Sequence, residues 1–193
     1  PYAGHAHASG HGAFGNGNNQ ESSSESINFS AAVALWGATV GNDEIRDLGI
    51  YLHAVESEAI AQYWFDADDA VFPENYPHPL VGIVWSNGGD YATWWTNNPE
   101  EIHGINLLPI TTGSLHLGRW PNVMRRNHLY MVQRNGGTPT IWQDVLWSGW
   151  ALGDPVGAMN EYETRSYAPE PGESRPHTRQ WISSLAAWGR VDP

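Results

Sequence analysis

The chain is organised around residues 15–28, which read GNGNNQESSSESIN. A loop rich in glycine and asparagine leads there into a predicted helix start that carries two carboxylates, Glu21 and Glu25. Residues four positions apart lie on one face of a helix. The spacing therefore predicts that both carboxylates point towards whatever the loop lines. Two acids, with amides on one side and hydroxyls between them, suit the chemistry of sugars.

A purely structural role competes for one of these acids. Ser22 and Glu25 have the spacing of a capping box, in which the serine side chain accepts from a first-turn amide and the glutamate reaches back to the N-cap amide. The spacing leaves capping and function equally open for Glu25. Glu21 lies outside the box, so capping does not explain it.

Composition bounds the class of protein. The 193 residues are enough for one domain or a large part of one, and 40% of them are hydrophobic. Eleven tryptophans and eight tyrosines exceed what a core of this size needs. We expect some of them to face a ligand, because aromatic rings stack well on sugar rings. For any single tryptophan, a place in the core is still the simpler interpretation.

Charge and residue usage restrict the classes of partner that the chain can bind. The formal charge is −12, and all nine basic residues are arginine. Such a chain repels phosphate backbones, so we expect no nucleic-acid partner, whereas a neutral glucan is compatible. Without cysteine there are no disulfides or thiolate metal sites. No apolar run is long enough to span a bilayer, so we expect no membrane partner.

The first half of the chain predicts two antiparallel helices. A helical pattern runs over about 22–40 and ends at Gly41, and Asn42 caps a second helix that reaches about Trp64. The tight link between them makes the two an antiparallel pair. The predicted core-facing stripes are Ile27, Ala31, Ala34, Leu35 and Ala38 in the first helix, and Ile45, Leu48, Leu52, Val55 and Ala59 in the second.

The remainder predicts a hairpin and several more helices. A surface loop over 66–80 precedes a β-like run at 81–85, a turn at 87–89 and a second extended segment at 90–95. Residues 104–118 read as mostly extended or irregular. The other predicted helices start at 98–101 or cover 121–135, 140–152, 155 to about 162, and 175–188. The count is six or seven helices.

Four groups of motifs, spread in order along nearly the whole chain, resemble glycoside hydrolase family 81, the endo-β-1,3-glucanases. They are YAGH at 2–5 with ASG at 8–10; NQESSSE at 19–25 with Asn28; VGIVW at 81–85, DYATW at 90–94, IHGIN at 102–106 and LPIT at 108–111; and WQD at 142–144 with HTRQWI at 177–182. The chain departs from the family at Ala6 and His7, where serine and tryptophan are usual, and at Ser26, where a small apolar residue is usual. None of these departures touches the paired glutamates.

The resemblance implies a mainly α fold, an (α/α)6 barrel preceded by a β-sandwich and a small linking domain. Six or seven helices are about half of such a barrel. We therefore expect residues 1–193 to form a single segment, the C-terminal half of the barrel, with one short β-hairpin-like segment. The upstream half and the β-sandwich would lie in the remainder of the same polypeptide, since the chain opens at Pro1 within a motif-like run. We also expect a secreted, extracellular protein.

The resemblance also implies endo-hydrolysis of β-1,3-glucan, of the laminarin and curdlan type, with inversion. Inverting enzymes place two carboxyl groups about 6.5–9.5 Å apart on opposite sides of the scissile bond. Two acids on one helix face are poorly placed to flank a sugar from opposite sides. We therefore expect Glu21 to act as general base and Glu25 as its close partner, although the reverse assignment stays open. By resemblance, the general acid is an aspartate upstream of residue 1, so the isolated chain should not hydrolyse laminarin.

Further candidates are sugar contacts. They are His5, Asp90, Tyr91, Trp94 and His103. Asp90 is equally well explained as a turn or cap residue, and His103 slightly better as a packed core histidine. His5, His7 and His11 have spacing that could bind zinc. Loop histidines without a matched carboxylate or cysteine are seldom ligands, so we expect no metal and no cofactor.

Two other functions remain open. A non-catalytic β-glucan-binding module would explain the tryptophans but not the paired glutamates. Another (α/α)-barrel polysaccharide-degrading enzyme, such as a lyase acting on uronic acid polymers, would need groups that neutralise a carboxylate. A net charge of −12 without lysine argues against an anionic substrate.

Overall fold

The computed structural model describes residues 14–189 and is mainly α-helical. Helices α1 (Ser23–Val40) and α2 (Asp43–Tyr63) form the predicted antiparallel pair. Gly41 ends α1 in the left-handed conformation, with φ 70°, which glycine adopts without a Cβ penalty. The Asn42 side chain then accepts a hydrogen bond of 3.1 Å from the Ile45 amide and caps α2.

The contact between α1 and α2 is made by small residues. A Cβ atom at Gly37 would lie 2.2 Å from the Arg46 backbone nitrogen, and one at Gly49 would lie 2.2 Å from that of Ala34. The backbones therefore approach closely, which only glycine allows at these two positions.

This close approach turns several large apolar side chains away from the pair, so the predicted stripes are confirmed only in part. Ile27 is fully buried, and Ala31, Ala34, Ile45, Leu52 and Ala59 are partly buried, whereas Leu35, Ala38, Leu48 and Val55 are exposed. Leu35 is 69% exposed and Leu48 is 53% exposed. The large apolar side chains that the pair leaves exposed among the described residues point to more than one side of it; they are Phe29, Leu35, Trp36, Val40, Leu48, Ile50, Tyr51, Val55 and Tyr63.

A small antiparallel sheet follows the order β1 (Asn19–Gln20), β2 (Ile83–Trp85) and β3 (Gly88–Asp90). The hairpin was predicted, but its turn is shifted. Trp85 pairs with Gly88, so Ser86 and Asn87 form the turn and the two glycines belong to β3. β1 was not predicted, because a two-residue strand has no periodicity. Its pairing places Asn19 opposite Trp85 and brings the following residues beside the hairpin.

Five further helices complete the fold of the described residues. They are α3 (Pro99–Gly104), α4 (Pro121–Asn135), α5 (Gln143–Ala151), α6 (Pro155–Thr164) and α7 (Arg175–Trp188). The segment expected to be irregular contains a 3-10 helix over Thr112–Arg119 that starts with a capping box. α5 begins later than predicted, because Trp142 directly before it adopts a left-handed conformation, with φ 49°, which a right-handed helix cannot include.

Two apolar cores lie between these elements. The larger joins α1, α2, α3, α4 and α5 through residues such as Ile27, Ile60, Ile102 and Met131. The smaller lies among α5, α6 and α7, around Trp147 and Ile182. The prediction of a mainly α fold with a hairpin-like segment is confirmed. Among residues 14–189, no helix combines the length and apolarity needed to cross a membrane.

Candidate active site

Glu21 does not lie on α1, which corrects the prediction of two carboxylates on one helix face. It directly follows β1, and Ser22 after it adopts a left-handed conformation, with φ 56° and ψ 46°. The helix begins at Ser23, so Glu21 lies outside it and Glu25 lies in its first turn. Because the backbone turns sharply at Ser22, the position of Glu21 relative to α1 does not follow from helical periodicity.

The capping box is also absent, since Ser22 makes no side-chain capping bond. A distant residue, Asn106, instead accepts hydrogen bonds at the start of α1. Oδ1 of Asn106 accepts hydrogen bonds of 2.9 Å from both the backbone N–H and Oγ of Ser23. Nδ2 of Asn106 donates over 3.0 Å to the carbonyl of Gly82, just before β2. One buried carboxamide thus ties the start of α1 to the hairpin.

The serines on either side of Glu25 have structural partners. Oγ of Ser24 donates to the carbonyl of Leu108 and, over 3.3 Å, to that of Ile105. Oγ of Ser26 donates to Oε1 of Glu56 in α2 over 2.8 Å. Ser24, Ser26, Glu56 and Ile105 are buried, and Leu108 is partly buried. The hydroxyls therefore fix the helix start, and the two carboxylates are the groups of this stretch left for chemistry.

Glu21 is half-buried, and its Oε2 accepts a hydrogen bond of 2.9 Å from the backbone N–H of Trp94. Burial raises the pKa of Glu21 above its ordinary value because it penalises the charged form; the Trp94 amide opposes this shift, and the charge of Glu25 adds to it. Glu25 itself is exposed. The two carboxylates therefore interact electrostatically although they do not share a helix face.

An aromatic cluster lies beside Glu21. The rings of Phe14 and Trp94 have centroids 5.0 Å apart in an edge-on arrangement, and Trp85 lies 5.9 Å from Phe14 and 6.1 Å from Trp94. Trp94 is 54% exposed. Trp94 thus offers a partly exposed indole on which a sugar ring can stack, and the backbone amide of the same residue holds Glu21.

The other predicted contacts fall into two groups. Asp90 is exposed at the end of β3, where its backbone carbonyl accepts from the Gly82 amide over 2.9 Å. Tyr91 is half-buried, and its hydroxyl bonds to Nε2 of His103 over 3.1 Å. His103 is 5% exposed, which favours the packed-histidine interpretation that the sequence left open. His5 lies outside the described residues.

Tyr91 and His103 belong to a packed network. The ring of Tyr91 stacks on His78 with centroids 4.2 Å apart, and Nδ1 of His78 bonds to the Tyr130 hydroxyl over 2.6 Å. Burial raises the pKa of Tyr91 and lowers that of His103 to about 3, so both side chains are neutral near pH 7. The network supports the strand end that carries Asp90; His103 is buried within it, and His78, Tyr91 and Tyr130 are partly buried.

No group of three potential metal-ligating side chains occurs between residues 14 and 189. His5, His7 and His11 lie outside that range. Sequence reasoning missed Phe14, Trp85 and Asn106 as parts of the site. Asn106 lies within a quoted family motif, but no local pattern links it to Ser23, 83 residues away.

Comparison with known proteins identifies relatives along the whole chain. A family model described as "Glycosyl hydrolase family 81 C-terminal domain" matches residues 1–182. Two proteins named glucan endo-1,3-beta-D-glucosidase are similar: that of Thermobifida fusca is 50% identical over 100% of this chain and 26% of its own length, and that of Acetivibrio thermocellus is 46% identical over 100% and 25%. The chain thus spans about a quarter of the length of these relatives. A solved structure of a glycoside hydrolase family 81 protein from Clostridium thermocellum matches with a TM-score of 0.89 and 44% identity, over 96% of this chain and 26% of that one.

Proposed function

Because the chain belongs to the family of glycosyl hydrolase family 81 C-terminal domains, we propose that it acts in the endo-hydrolysis of β-1,3-glucan of the laminarin and curdlan type. The names of the two bacterial relatives support both the reaction and the substrate. Since the chain spans about a quarter of their length, the activity is that of a longer polypeptide to which this chain contributes one side of the site.

The chain forms the C-terminal portion of an (α/α)6 barrel, with the other helices and a β-sandwich supplied upstream by the same polypeptide. The exposed apolar side chains of α1 and α2 support this arrangement. Nine large apolar residues of the two helices are at least 44% exposed, among them Trp36 and Tyr51. Burying an apolar surface of this size stabilises a fold substantially, so further helices are suitable neighbours for it.

Glu21 is the general base. As the water oxygen attacks the anomeric carbon, Glu21 takes the proton from the water. An upstream aspartate protonates the leaving oxygen on the opposite side of the sugar, which gives inversion. The observation that carries this assignment is the half-buried Glu21 carboxylate, held by the Trp94 amide beside the aromatic cluster. Its raised pKa makes the ionised carboxylate a stronger base, and Glu25 contributes through its charge.

Glucan lies against the same surface. Trp94 and Asp90 have the exposure that a direct sugar contact requires. Tyr91 and His103, also predicted as contacts, lie directly behind Asp90 in the network, and His5 completes the predicted set. No cofactor enters this reaction. A polysaccharide substrate places the enzyme outside the cell, where cell-wall and storage glucans are accessible.

The test uses the whole polypeptide and compares Glu21→Gln with Glu25→Gln. Glutamine keeps an oxygen for the Trp94 amide but cannot take a proton. We expect Glu21→Gln to lower kcat on laminari-oligosaccharides by about 10²–10⁴, the usual contribution of a general base. Binding measured by calorimetry should change little. Glu25→Gln should lower kcat less.

NMR of the first product provides the stereochemical part of the test. An α-anomer released from the β-linkage supports inversion, and a β-anomer contradicts it. Full turnover by Glu21→Gln excludes Glu21 as the base. A wild-type polypeptide that binds laminarin without cleaving it supports the β-glucan-binding module instead. Cleavage by the isolated 193-residue chain would contradict an upstream general acid.

A further inference from the structure

The Trp94 amide that holds Glu21 belongs to a short loop, residues 93–96, between β3 and α3. This loop has no regular secondary structure. Its conformation is nevertheless fixed, because one buried residue, Thr93, makes hydrogen bonds with most of the loop backbone.

Thr93 is 7% exposed and makes four hydrogen bonds within the loop. Its backbone N–H donates to the Thr96 carbonyl over 2.9 Å, and its Oγ1 donates to the same carbonyl over 3.2 Å. Oγ1 also accepts from the backbone N–H of Trp95 over 3.3 Å and of Thr96 over 3.0 Å. Two consecutive amides are thus turned inwards, towards one hydroxyl.

The Trp94 amide is the exception in this loop. The amides of its neighbours are directed at groups within the loop, whereas its own N–H points out to Oε2 of Glu21, 2.9 Å away. The far side of the loop is also fixed, since Oγ1 of Thr96 accepts from the Asn98 amide over 3.1 Å and Nε1 of Trp95 donates to Oε1 of Glu101 over 3.2 Å. The loop is therefore anchored to the start of α3 while it presents one amide to Glu21.

We propose that Thr93 is a positioning residue of the active site: its Oγ1 sets the loop so that the Trp94 amide holds the Glu21 carboxylate. Thr93 acts through Glu21 and does not contact the substrate. This inference rests on the proposed role of Glu21 as general base.

The role has a measurable electrostatic consequence. A hydrogen bond to the ionised form of a carboxyl group lowers its pKa. In Glu21 this contribution opposes the effects of burial and of Glu25, which is the charged group that acts on it within residues 14–189. Without the bond, the pKa of Glu21 rises and less of the base is ionised under acidic conditions. The acid limb of the kcat profile should then move to higher pH.

The experiment measures kcat and KM on soluble laminarin across the pH range, in the whole polypeptide. Thr93→Val is nearly isosteric and removes the hydroxyl; Thr93→Ser keeps it and is the matched control. We expect Thr93→Val to lower kcat and to move the acid limb upwards by about one pH unit, since the hydrogen bond that favours the ionised carboxylate is weakened. Thr93→Ser should keep the wild-type limb.

A second variant separates the amide of Trp94 from its ring. Trp94→Ala keeps the backbone donor and removes the indole, so KM should rise while the acid limb stays in place. Circular dichroism checks folding. Should Thr93→Val not fold, Thr93→Cys, whose thiol is a weak hydrogen-bonding group, replaces it and should move the limb in the same direction.

The outcomes distinguish a failure of the Thr93 inference from a failure of the proposed hydrolase function on which it rests. A wild-type polypeptide without laminarin hydrolysis, or a fully active Glu21→Gln, overturns the proposed function. If Glu21→Gln abolishes the acid limb seen in wild type, that limb reports Glu21. An unshifted acid limb in folded Thr93→Val then overturns the role of Thr93 alone.

Discussion

Oδ1 of Asn106 accepts two hydrogen bonds of 2.9 Å from Ser23, one from the backbone N–H and one from Oγ. The same side chain donates to the Gly82 carbonyl. Ser23 and Asn106 are both buried. Removing the side chain of one would therefore leave polar groups of the other without a hydrogen-bond partner from either water or protein. The start of α1, and with it the placement of Glu25, therefore depends on a residue 83 positions along the chain.

Asn106→Ala should lower the free energy of unfolding by about 2–4 kcal/mol, because it leaves buried groups on Ser23 and Gly82 unsatisfied. Urea unfolding of the whole polypeptide measures the effect. Asn106→Asp is the matched control, since it keeps the acceptor for Ser23 and loses the donor to Gly82, and it should be intermediate if its own charge is tolerated. Wild-type stability in Asn106→Ala would show that the start of α1 is held in another way.

Gly49→Ala should destabilise the α1–α2 pair by about 1–3 kcal/mol, the usual cost of overpacking. The added Cβ would lie 2.2 Å from the Ala34 backbone nitrogen, so the helices must separate. Helix propensity alone predicts the opposite sign, since alanine is better than glycine by about 1 kcal/mol. Thermal unfolding decides between the two. Gly88→Ala is the control, because a Cβ there meets nothing within 4 Å.

Glu56→Gln should remove a pH dependence of stability. Burial raises the pKa of Glu56 to about 7, and the side chain is 1% exposed. The folded state thus favours the protonated form, so this contribution to stability is complete below the unfolded pKa of 4.5 and is lost as pH rises through about 7. The loss can reach about 3 kcal/mol, since one pKa unit corresponds to about 1.4 kcal/mol.

The measurement compares the unfolding free energy of wild type and Glu56→Gln at several pH values across this window. Their difference should grow in favour of the variant as pH rises. Glu58→Gln, at an exposed position of α2, is the control and should follow wild type. A constant difference between wild type and Glu56→Gln would contradict the raised pKa.

His128→Phe should make the protein more resistant to acid. His128 is buried and stacks on Trp150 with centroids 4.0 Å apart, and burial lowers its pKa to about 4. Its neutral form is favoured in the folded state, so stability present above the unfolded pKa of 6.5 is lost as pH falls through about 4. Phenylalanine keeps the stacking and cannot be protonated.

Acid unfolding followed by tryptophan fluorescence measures this effect. The midpoint of His128→Phe should lie at lower pH than that of wild type, while the two proteins differ least above neutral pH. His103 and His116, whose pKa values burial also lowers, to about 3 and about 4, are unchanged in both proteins. An identical acid midpoint would contradict the role of His128.

Local sequence signals located most of the helices. Gly41 and Asn42 end and cap helices where the sequence predicted. Asn98 and Gly136 do the same for the helices expected to start at 98–101 and to cover 121–135, because a left-handed φ or a side-chain acceptor is a property of the residue itself. The buried faces of α1 and α2 were not predictable in the same way. Hydrophobic periodicity assumes that large apolar residues face the nearest helix, whereas Gly37 and Gly49 do so here.

By itself, the sequence determined the helical class, the hairpin and the resemblance to a glucanase family, and it singled out Glu21 and Glu25 as candidate catalytic residues. Tertiary structure decided how these two acids are placed. Glu21 lies outside the helix, one residue before the left-handed Ser22. Its carboxylate accepts a hydrogen bond from the Trp94 amide, 73 residues away. The physical reason is that capping and strand pairing here use Asn106 and the hairpin, and such long-range bonds leave no periodic signal in residues 15–28.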